Sequence, residues 1–134
     1  MRAIASGENI RKVKFLILYL EVIGIILIFA ADFIVLRMLI LQDCLNKLAG
    51  FKKDFGSKFG IVKLGIFGSV ARKENTEDSD IDIVVEVQQP SLSLMYELKE
   101  ALKALFGCEV DLVRFRESLR PLFKTNIQRD VIYV

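Results

Sequence analysis

LGIFGSVARKENTEDSDIDIVVEV, residues 64–87, carries the strongest indication of how this chain folds. An apolar run leads into a polar, turn-rich segment at residues 68–79, and a second apolar run then begins with alternating Asp and Ile. Short apolar runs bounded by turn residues are typical of buried strands. The pattern therefore predicts a strand at residues 61–67, one helical turn after Ser69, and a second strand at residues 80–87.

The segments on either side of this stretch predict helices and further strands. Apolar residues recur at helical spacing from residue 39 to 55, where a loop between Gly56 and Gly60 follows, and again from residue 92 to 106. Because strands and helices interleave, the predicted fold class is α/β (α+β), with a small mixed sheet flanked by helices. The remaining predicted elements are a strand at residues 108–114, a helix near residues 117–129 and a short final strand at residues 131–134.

The first part of the chain differs in composition from the rest. We predict an apolar N-terminal extension at residues 1–38 and a globular domain at residues 39–134. Within the extension, residues 15–31 read FLILYLEVIGIILIFAA, which approaches the roughly 20 residues that a membrane-spanning helix needs. Glu21 within the run and Asp32 beside it count against a membrane span, because a charge is costly at the bilayer centre.

Three explanations of this extension remain open. Met38 stands where the composition becomes ordinary, so residues 1–37 are explained if the start codon is placed too early and the natural chain begins at Met38. The second explanation is a membrane anchor, and the third is a helix buried in an oligomer. A secretory signal peptide fits poorly, because the run is too long and no small-residue cleavage site stands out.

The composition excludes several classes of function. The chain contains no histidine, which excludes Ser-His-Asp and Cys-His catalysis, the H-E-x-x-H zinc site and a histidine pH switch. Cys44 and Cys108 lie far apart in the sequence, so they predict buried apolar side chains in a cytoplasmic protein rather than a zinc site or a redox pair. The formal charge of +2 leaves no basic footprint for phosphate backbones, so direct nucleic-acid binding is not expected.

Three acidic residues predict a metal site. Asp80 and Asp82 are two residues apart in one predicted strand, so their side chains project from the same face. Asp111 lies in the next predicted strand and joins them if the two strands are neighbours. Crowded carboxylates repel one another unless a cation is present, and oxygen ligands of this kind suit Mg²⁺, which also binds substrate phosphates. Two Mg²⁺ ions about 4 Å apart would activate an attacking oxygen and stabilise the leaving one.

A Gly-Ser turn directly follows the first predicted strand. Gly68 lets the backbone approach a phosphate closely, and the hydroxyl of Ser69 with nearby N–H groups can bind phosphate oxygens. A Gly-Ser turn or an Asp-x-Asp pair by itself is usually structural. The combination of the two at a fixed spacing is much more specific.

This combination resembles a known family. Gly68-Ser69, ten residues and then Asp80-Ile81-Asp82 is similar to the G-S-x10-D-x-D signature of the DNA polymerase β-like nucleotidyltransferase superfamily. The sequence around the signature resembles the minimal nucleotidyltransferases (MNT), which are paired with HEPN toxins in prokaryotes. The segment EVDLV at Asp111 and the closing IQRDVIYV are part of this resemblance. The resemblance covers about residues 39–134 and has no counterpart for residues 1–38.

The resemblance implies an activity and a partner. It implies a mixed sheet flanked by helices, ATP as donor, and Mg²⁺ held by Asp80, Asp82 and Asp111. Members of the group act as antitoxins by transferring AMP to a tyrosine of the partner HEPN ribonuclease. We therefore expect a protein adenylyltransferase that forms a homo- or hetero-oligomer, in the cytoplasm or, if residues 15–31 insert, at a membrane.

The resemblance also suggests two further phosphate contacts. Where the family often has Ala-Arg-Gly-Glu after the Gly-Ser turn, this chain has Ala-Arg-Lys-Glu at residues 71–74. Arg72 is a candidate for the triphosphate and alternatively forms a surface ion pair with Glu74 or Glu77. Lys73 either adds a phosphate contact or is simply solvated.

Two other functions remain open beside protein adenylylation. A domain this small has no extra part to hold an acceptor, which favours an acceptor surface supplied by another protein. The first rival is nucleotidyl transfer to a small molecule inside a homodimer. The second is an antitoxin that neutralises its partner by binding alone, although the intact carboxylates and Gly-Ser turn argue against a decayed site.

Overall fold

The computed structural model describes residues 7–76 and 78–134. The chain divides into two compact units, Met1–Leu36 and Arg37–Val134. Along the chain the elements are α1 (Gly7–Phe59), β1 (Ile61–Phe67), α2 (Gly68–Ala71), β2 (Ile81–Val87), α3 (Leu92–Phe106), β3 (Val110–Arg114), α4 (Pro121–Asp130) and β4 (Ile132–Tyr133).

The second unit contains a four-stranded mixed sheet in the order β3-β2-β1-β4. Strand β1, one of the two inner strands, is antiparallel to both of its neighbours, β2 and β4. Strand β3 is parallel to β2, and the crossover between them contains α3, as a parallel connection requires. The predicted fold, a small mixed sheet flanked by helices, is confirmed, and the two strands that carry the acidic residues are neighbours.

The two faces of this sheet bury different helices. One face packs against α3 and the part of α1 from Leu41 to Phe59, and its core residues are apolar. The other face packs against α4, whose Ile127 is fully buried beside Phe67 and Val84. Complete burial of a Leu or Ile side chain contributes about 1.5–3 kcal/mol. Side chains with no exposed surface include Leu48, Leu64, Ile66, Ile83, Leu98, Leu102 and Ile127.

Several predicted boundaries differ from the structure for local reasons. The helix predicted at residues 39–55 is part of the longer α1, which continues through Gly56 to Phe59 because burial of the Phe59 ring offsets the roughly 1 kcal/mol that glycine costs in a helix. Helix α4 begins at Pro121 rather than near residue 117, since proline is favoured in the first turn of a helix and breaks its interior.

The predicted boundaries of the strands lie closer to the observed ones than those of α1 and α4 do. Strand β1 matches its predicted bounds, whereas β2 begins one residue late, which leaves Asp80 outside the strand. Strand β3 begins at Val110 instead of residue 108. The prediction that Cys108 is buried is wrong, because this residue lies in the exposed turn between α3 and β3, while Cys44 is buried as predicted.

The first unit, as far as residues 7–36 describe it, is entirely helical. Its large apolar side chains are exposed on all sides, with Phe15 71% and Phe29 70% accessible. By length and composition, α1 contains a stretch apolar enough to cross a membrane, with a mean hydropathy of 2.5 over its most apolar window and none of that window buried. The anchor, the oligomer helix and the early start codon therefore all stay predictions.

We predict that a chain beginning at Met38 folds and is soluble. Every buried apolar side chain of the described residues lies at or after Leu41, so the core of the second unit is retained. The truncation removes Arg37, whose Nη1 donates to the Lys73 carbonyl oxygen at 2.9 Å, a bond worth about 0.5–1.5 kcal/mol. The check is to compare soluble yield, circular dichroism and melting temperature of the two chains.

Arg37→Ala in the full chain provides the matched control for this truncation. It separates the loss of one hydrogen bond from the loss of the apolar helix. An unfolded truncated chain beside a soluble Arg37→Ala chain would contradict the prediction and place residues 1–37 in the folded core.

Candidate active site

The predicted carboxylates meet where β1 ends and β2 begins. Asp82 is the register partner of Asp111 across the parallel β2–β3 pair, and of Phe67 across the antiparallel β1–β2 pair. Side chains of register partners project from the same face of a sheet. Asp82 and Asp111 therefore project from the face that α4 covers, while Asp80 lies one residue before β2 and is exposed.

The charge on Asp82 is opposed by its surroundings. Partial burial of the carboxyl group raises the pKa of Asp82 above its ordinary value, and the like charges of Asp111 and then Asp80 raise it further. The charge of Arg72 and the backbone N–H of Ser69 act in the opposite direction and do not cancel the rise. The net effect is a carboxylate whose ionised form would be stabilised by a cation.

Gly68 brings the Gly-Ser turn directly against this carboxylate. Its φ of +71° lies in the left-handed region, where glycine is favoured. A Cβ atom at this position would stand 2.1 Å from Oδ2 of Asp82, far inside van der Waals contact. The absence of a side chain at residue 68 is thus what allows the turn and Asp82 to lie side by side.

These residues fit Mg²⁺ by charge and by ligand chemistry. Carboxylate oxygens are the ligands that Mg²⁺ prefers, and a divalent cation would oppose both causes of the raised pKa of Asp82, its burial and the negative charge beside it. Among the described residues, however, no three acidic or thiol side chains are already gathered closely enough to hold an ion together. The assignment of Mg²⁺ to Asp80, Asp82 and Asp111 therefore stays a prediction.

A cavity of about 290 Å³ opens beside the Gly-Ser turn. One wall consists of the turn, Arg72 and Asp82, and the other is provided by α4. The sequence pattern does not indicate Phe123 and Asn126, because they belong to no motif and only the packing of Ile127 on the sheet brings them here. The residues of α4 that line the cavity are Phe123, Asn126, Ile127, Arg129 and Asp130.

Arg72 is held at the cavity wall by an ion-pair network. Its Nη1 donates to Oδ2 of Asp130 at 2.8 Å, and its Nε donates to Oε2 of Glu74 at 3.0 Å. Hydrogen bonds from Arg129 and then from Arg72 hold the pKa of Asp130 at about 2. The ion pair with Glu74, one of the two predicted alternatives, is present, and Glu77 lies outside the described residues.

Lys73 is placed differently from Arg72. It is exposed, its backbone is left-handed at φ +61°, and it does not contribute to the cavity wall as the described residues define it. The geometry therefore favours solvation of Lys73 in this state of the chain, and a phosphate contact remains a prediction for Arg72.

A larger cavity of about 400 Å³ lies at the opposite end of the same strands, between the end of α1 and the start of β1. Lys52, Ser57 and Gln88 contribute its polar lining, and Lys52 donates to the carbonyl oxygen of Val134. No carboxylate lines it among the described residues. The smaller cavity, where Gly68, Ser69 and Asp82 meet, is therefore the candidate active site.

Residues 48–134 match the family described as the nucleotidyltransferase domain. The chain belongs to this family. A relative from Thermococcus cleftensis, named protein adenylyltransferase MntA, is 41% identical over 100 residues, which are 74% of this chain and all of the relative. The family assignment thus covers the whole of the second unit's sheet and the candidate site.

Two solved structures show the same nucleotidyltransferase fold. A protein assigned to the minimal nucleotidyltransferases is 36% identical, with a TM-score of 0.52 over 59% of this chain and 81% of its own. A toxin–antitoxin complex with AMP-PNP has a TM-score of 0.56 at 24% identity, over 66% of this chain and 69% of its own. The predicted nucleotidyltransferase enzyme class and minimal nucleotidyltransferase group are confirmed.

Proposed function

We propose that this nucleotidyltransferase is an antitoxin that transfers AMP from ATP to a tyrosine of a partner HEPN ribonuclease toxin in the cytoplasm. The observation that carries the proposal is the contact of Gly68 with Asp82, beside Asp111 in register. It joins a phosphate-binding turn to two carboxylates, which is what nucleotidyl transfer requires. The name of the Thermococcus relative supports a protein as the acceptor.

In the proposed reaction, the tyrosine hydroxyl oxygen attacks the α-phosphorus of ATP. A P–O bond to tyrosine forms while the bond between the α-phosphorus and the oxygen bridging to the β-phosphate breaks, so pyrophosphate leaves. The hydroxyl proton passes to one of the three carboxylates. Bound Mg²⁺ would neutralise charge on the phosphates and orient the attacking oxygen.

The residues of this chain have separate roles in the proposed reaction. Gly68 and Ser69 bind phosphate oxygens through the backbone and the hydroxyl, and Arg72 adds a positive charge at the cavity wall. Asp80, Asp82 and Asp111 would hold the metal. Positioning and charge stabilisation of this kind account for most of the catalysis of phosphoryl-group transfer, because the protein has little covalent chemistry to perform.

The proposed partner is inferred from the small size of the second unit and from its likeness to a solved structure. The second unit is built around a single small sheet, which favours an acceptor surface supplied by another protein. The solved toxin–antitoxin complex with AMP-PNP has the same fold, and this likeness supports a toxin protein as the partner.

The proposal is tested with ATP labelled either at the α- or at the γ-phosphate. The full chain, Mg²⁺ and a HEPN protein encoded beside it are incubated, and the HEPN protein is separated and counted. Label should enter the HEPN protein from α-labelled ATP and not from γ-labelled ATP, because the γ-phosphate leaves with pyrophosphate. Tyr→Phe substitutions in the HEPN protein should identify the acceptor.

The two rival functions give different results in this experiment. If the HEPN ribonuclease is inhibited without incorporation of label, the chain acts by binding alone. If label appears in a small molecule and the HEPN protein stays unlabelled and active, the acceptor is a metabolite. Either result would overturn transfer of AMP to a protein.

A metal-linked gain in stability is also expected. A ligand that binds only the native state stabilises it by mass action, by about 2.7 kcal/mol at 100 times its dissociation constant. We therefore expect Mg²⁺-ATP to raise the melting temperature of the full chain and to lose this effect in the Asp80→Asn/Asp82→Asn double variant. Differential scanning fluorimetry measures both, and an equal shift in the two proteins would mean that the nucleotide binds elsewhere.

A further inference from the structure

Helix α4 contributes a wall to the active-site cavity that the transfer chemistry does not use. Gly68, Ser69 and Asp82 account for the phosphates and the metal, and they lie on the opposite wall. The cavity volume of about 290 Å³ is close to the lower end of ligand pockets, about 300–1,000 Å³.

Two residues of α4 present suitable groups for a base. Phe123 is 39% exposed, and its ring lies edge-on to the buried Phe67, with centroids 6.4 Å apart and an interplanar angle of 77°. Asn126 follows three residues later, so it lies on the same side of the helix one turn on. An aromatic face stacks on any base, whereas the amide of asparagine offers a donor and an acceptor side by side.

The position of α4 is well defined by its other contacts. Ile127 is fully buried against the sheet, and Asp130, at the end of the helix, accepts a hydrogen bond from Arg72 of the Gly-Ser loop at 2.8 Å. The helix is therefore tied both to the sheet and to the phosphate-binding side of the cavity. A helix anchored at both of these points can hold a recognition group at a fixed distance from the Gly-Ser turn.

From this geometry we infer that Phe123 and Asn126 form the nucleobase site and that Asn126 selects adenine. The inference rests on the proposed transfer of AMP from ATP and adds the residues that recognise the base. The asparagine amide can accept from the N6 amino group of adenine and donate to the adjacent N7. Guanine presents two acceptors, O6 and N7, at the same edge, so one of the two hydrogen bonds is lost with GTP.

The test measures binding and needs no acceptor protein. The probes are the α,β-methylene analogues of ATP and GTP with Mg²⁺, which bind but cannot be cleaved at the reacting bond. Calorimetric titration of the full chain should show the ATP analogue binding about 5- to 150-fold more tightly than the GTP analogue, the range expected for one bidentate pair. Asn126→Ala should bring this ratio close to one, mainly by weakening the ATP analogue.

Substitution of Phe123 should reduce the affinity for both nucleotide analogues equally. Phe123→Ala should weaken the two analogues by a similar factor, about 5- to 150-fold, because stacking does not distinguish bases. Phe123→Leu keeps most of the contact with Phe67 and should give an intermediate loss, which guards against a folding defect. The matched controls on the same helix are Gln128→Ala and Leu122→Ala, which are exposed outside the cavity and should bind like the unaltered chain.

The outcomes separate this inference from the proposed function. Equal binding of the two analogues by the unaltered chain, or an unchanged ratio in Asn126→Ala, would overturn adenine selection and leave nucleotidyl transfer intact. Unaltered affinity in Phe123→Ala would overturn the base site on α4. If neither analogue bound the folded chain, both the inference and the proposed function would be wrong.

Discussion

Asp82→Asn should lower the rate of AMP transfer by at least about 10²–10³, with the fold intact. Asp82 is the carboxylate that contacts the Gly-Ser turn and is the register partner of Asp111, so it links the turn to a second acidic residue. The amide keeps the shape of the side chain but removes the charge that binds a metal. Single-turnover transfer from α-labelled ATP measures the loss.

The same substitution should not destabilise the nucleotide-free chain. Burial and the charges of Asp111 and Asp80 raise the pKa of Asp82, which means that its ionised form is disfavoured in the native state relative to the unfolded chain. At neutral pH a neutral amide removes this unfavourable interaction, so the melting temperature without Mg²⁺ should be equal or higher. A large loss of transfer together with unchanged or raised stability is characteristic of a functional rather than a structural carboxylate.

Glu86→Gln is the matched control for this prediction. Glu86 lies on the same strand and the same face as Asp82, near the opposite end of β2, and is also half-buried. Its substitution should leave the transfer rate unchanged. Wild-type transfer by Asp82→Asn, or an equal loss in both variants, would show that Asp82 has no specific role.

The sheet and the acidic residues were predictable because they depend on local patterns. Alternation of Asp with Ile at residues 80–83 indicates a strand with one polar face, and the Gly-Ser turn indicates where the preceding strand ends. The prediction that Asp82 and Asp111 lie together needed one further condition, that β2 and β3 are neighbours, and the crossover through α3 satisfies it.

The far wall of the cavity could not be predicted in the same way. Phe123 and Asn126 belong to an ordinary amphipathic helix, and nothing in their spacing indicates that they face Gly68. Their position follows from the burial of Ile127 on the second face of the sheet and from the Arg72–Asp130 hydrogen bond, which joins residues 58 positions apart. Contacts of this kind depend on the complete fold, so local periodicity contains no information about them.

Gly68→Ala should abolish most of the transfer activity and also destabilise the chain. Two effects act at this position. A left-handed backbone costs a non-glycine residue about 1–2 kcal/mol, and the φ of Gly68 is +71°. In addition, the new Cβ would lie 2.1 Å from Oδ2 of Asp82, so the carboxylate or the turn must move. A displacement of about 1 Å in a catalytic group can reduce the rate about 10²-fold.

Gly107→Ala separates these two effects. Gly107 has nearly the same backbone conformation, with φ +67°, but a Cβ there would meet no atom within 4 Å. Its substitution should lower the free energy of unfolding by about the same 1–2 kcal/mol and leave transfer unchanged.

In a Gly68→Ala/Asp82→Asn double variant, the loss of activity should be close to that of the single variants, because both act on one group. Multiplicative losses would mean that Gly68 contributes independently of Asp82, through the phosphates alone.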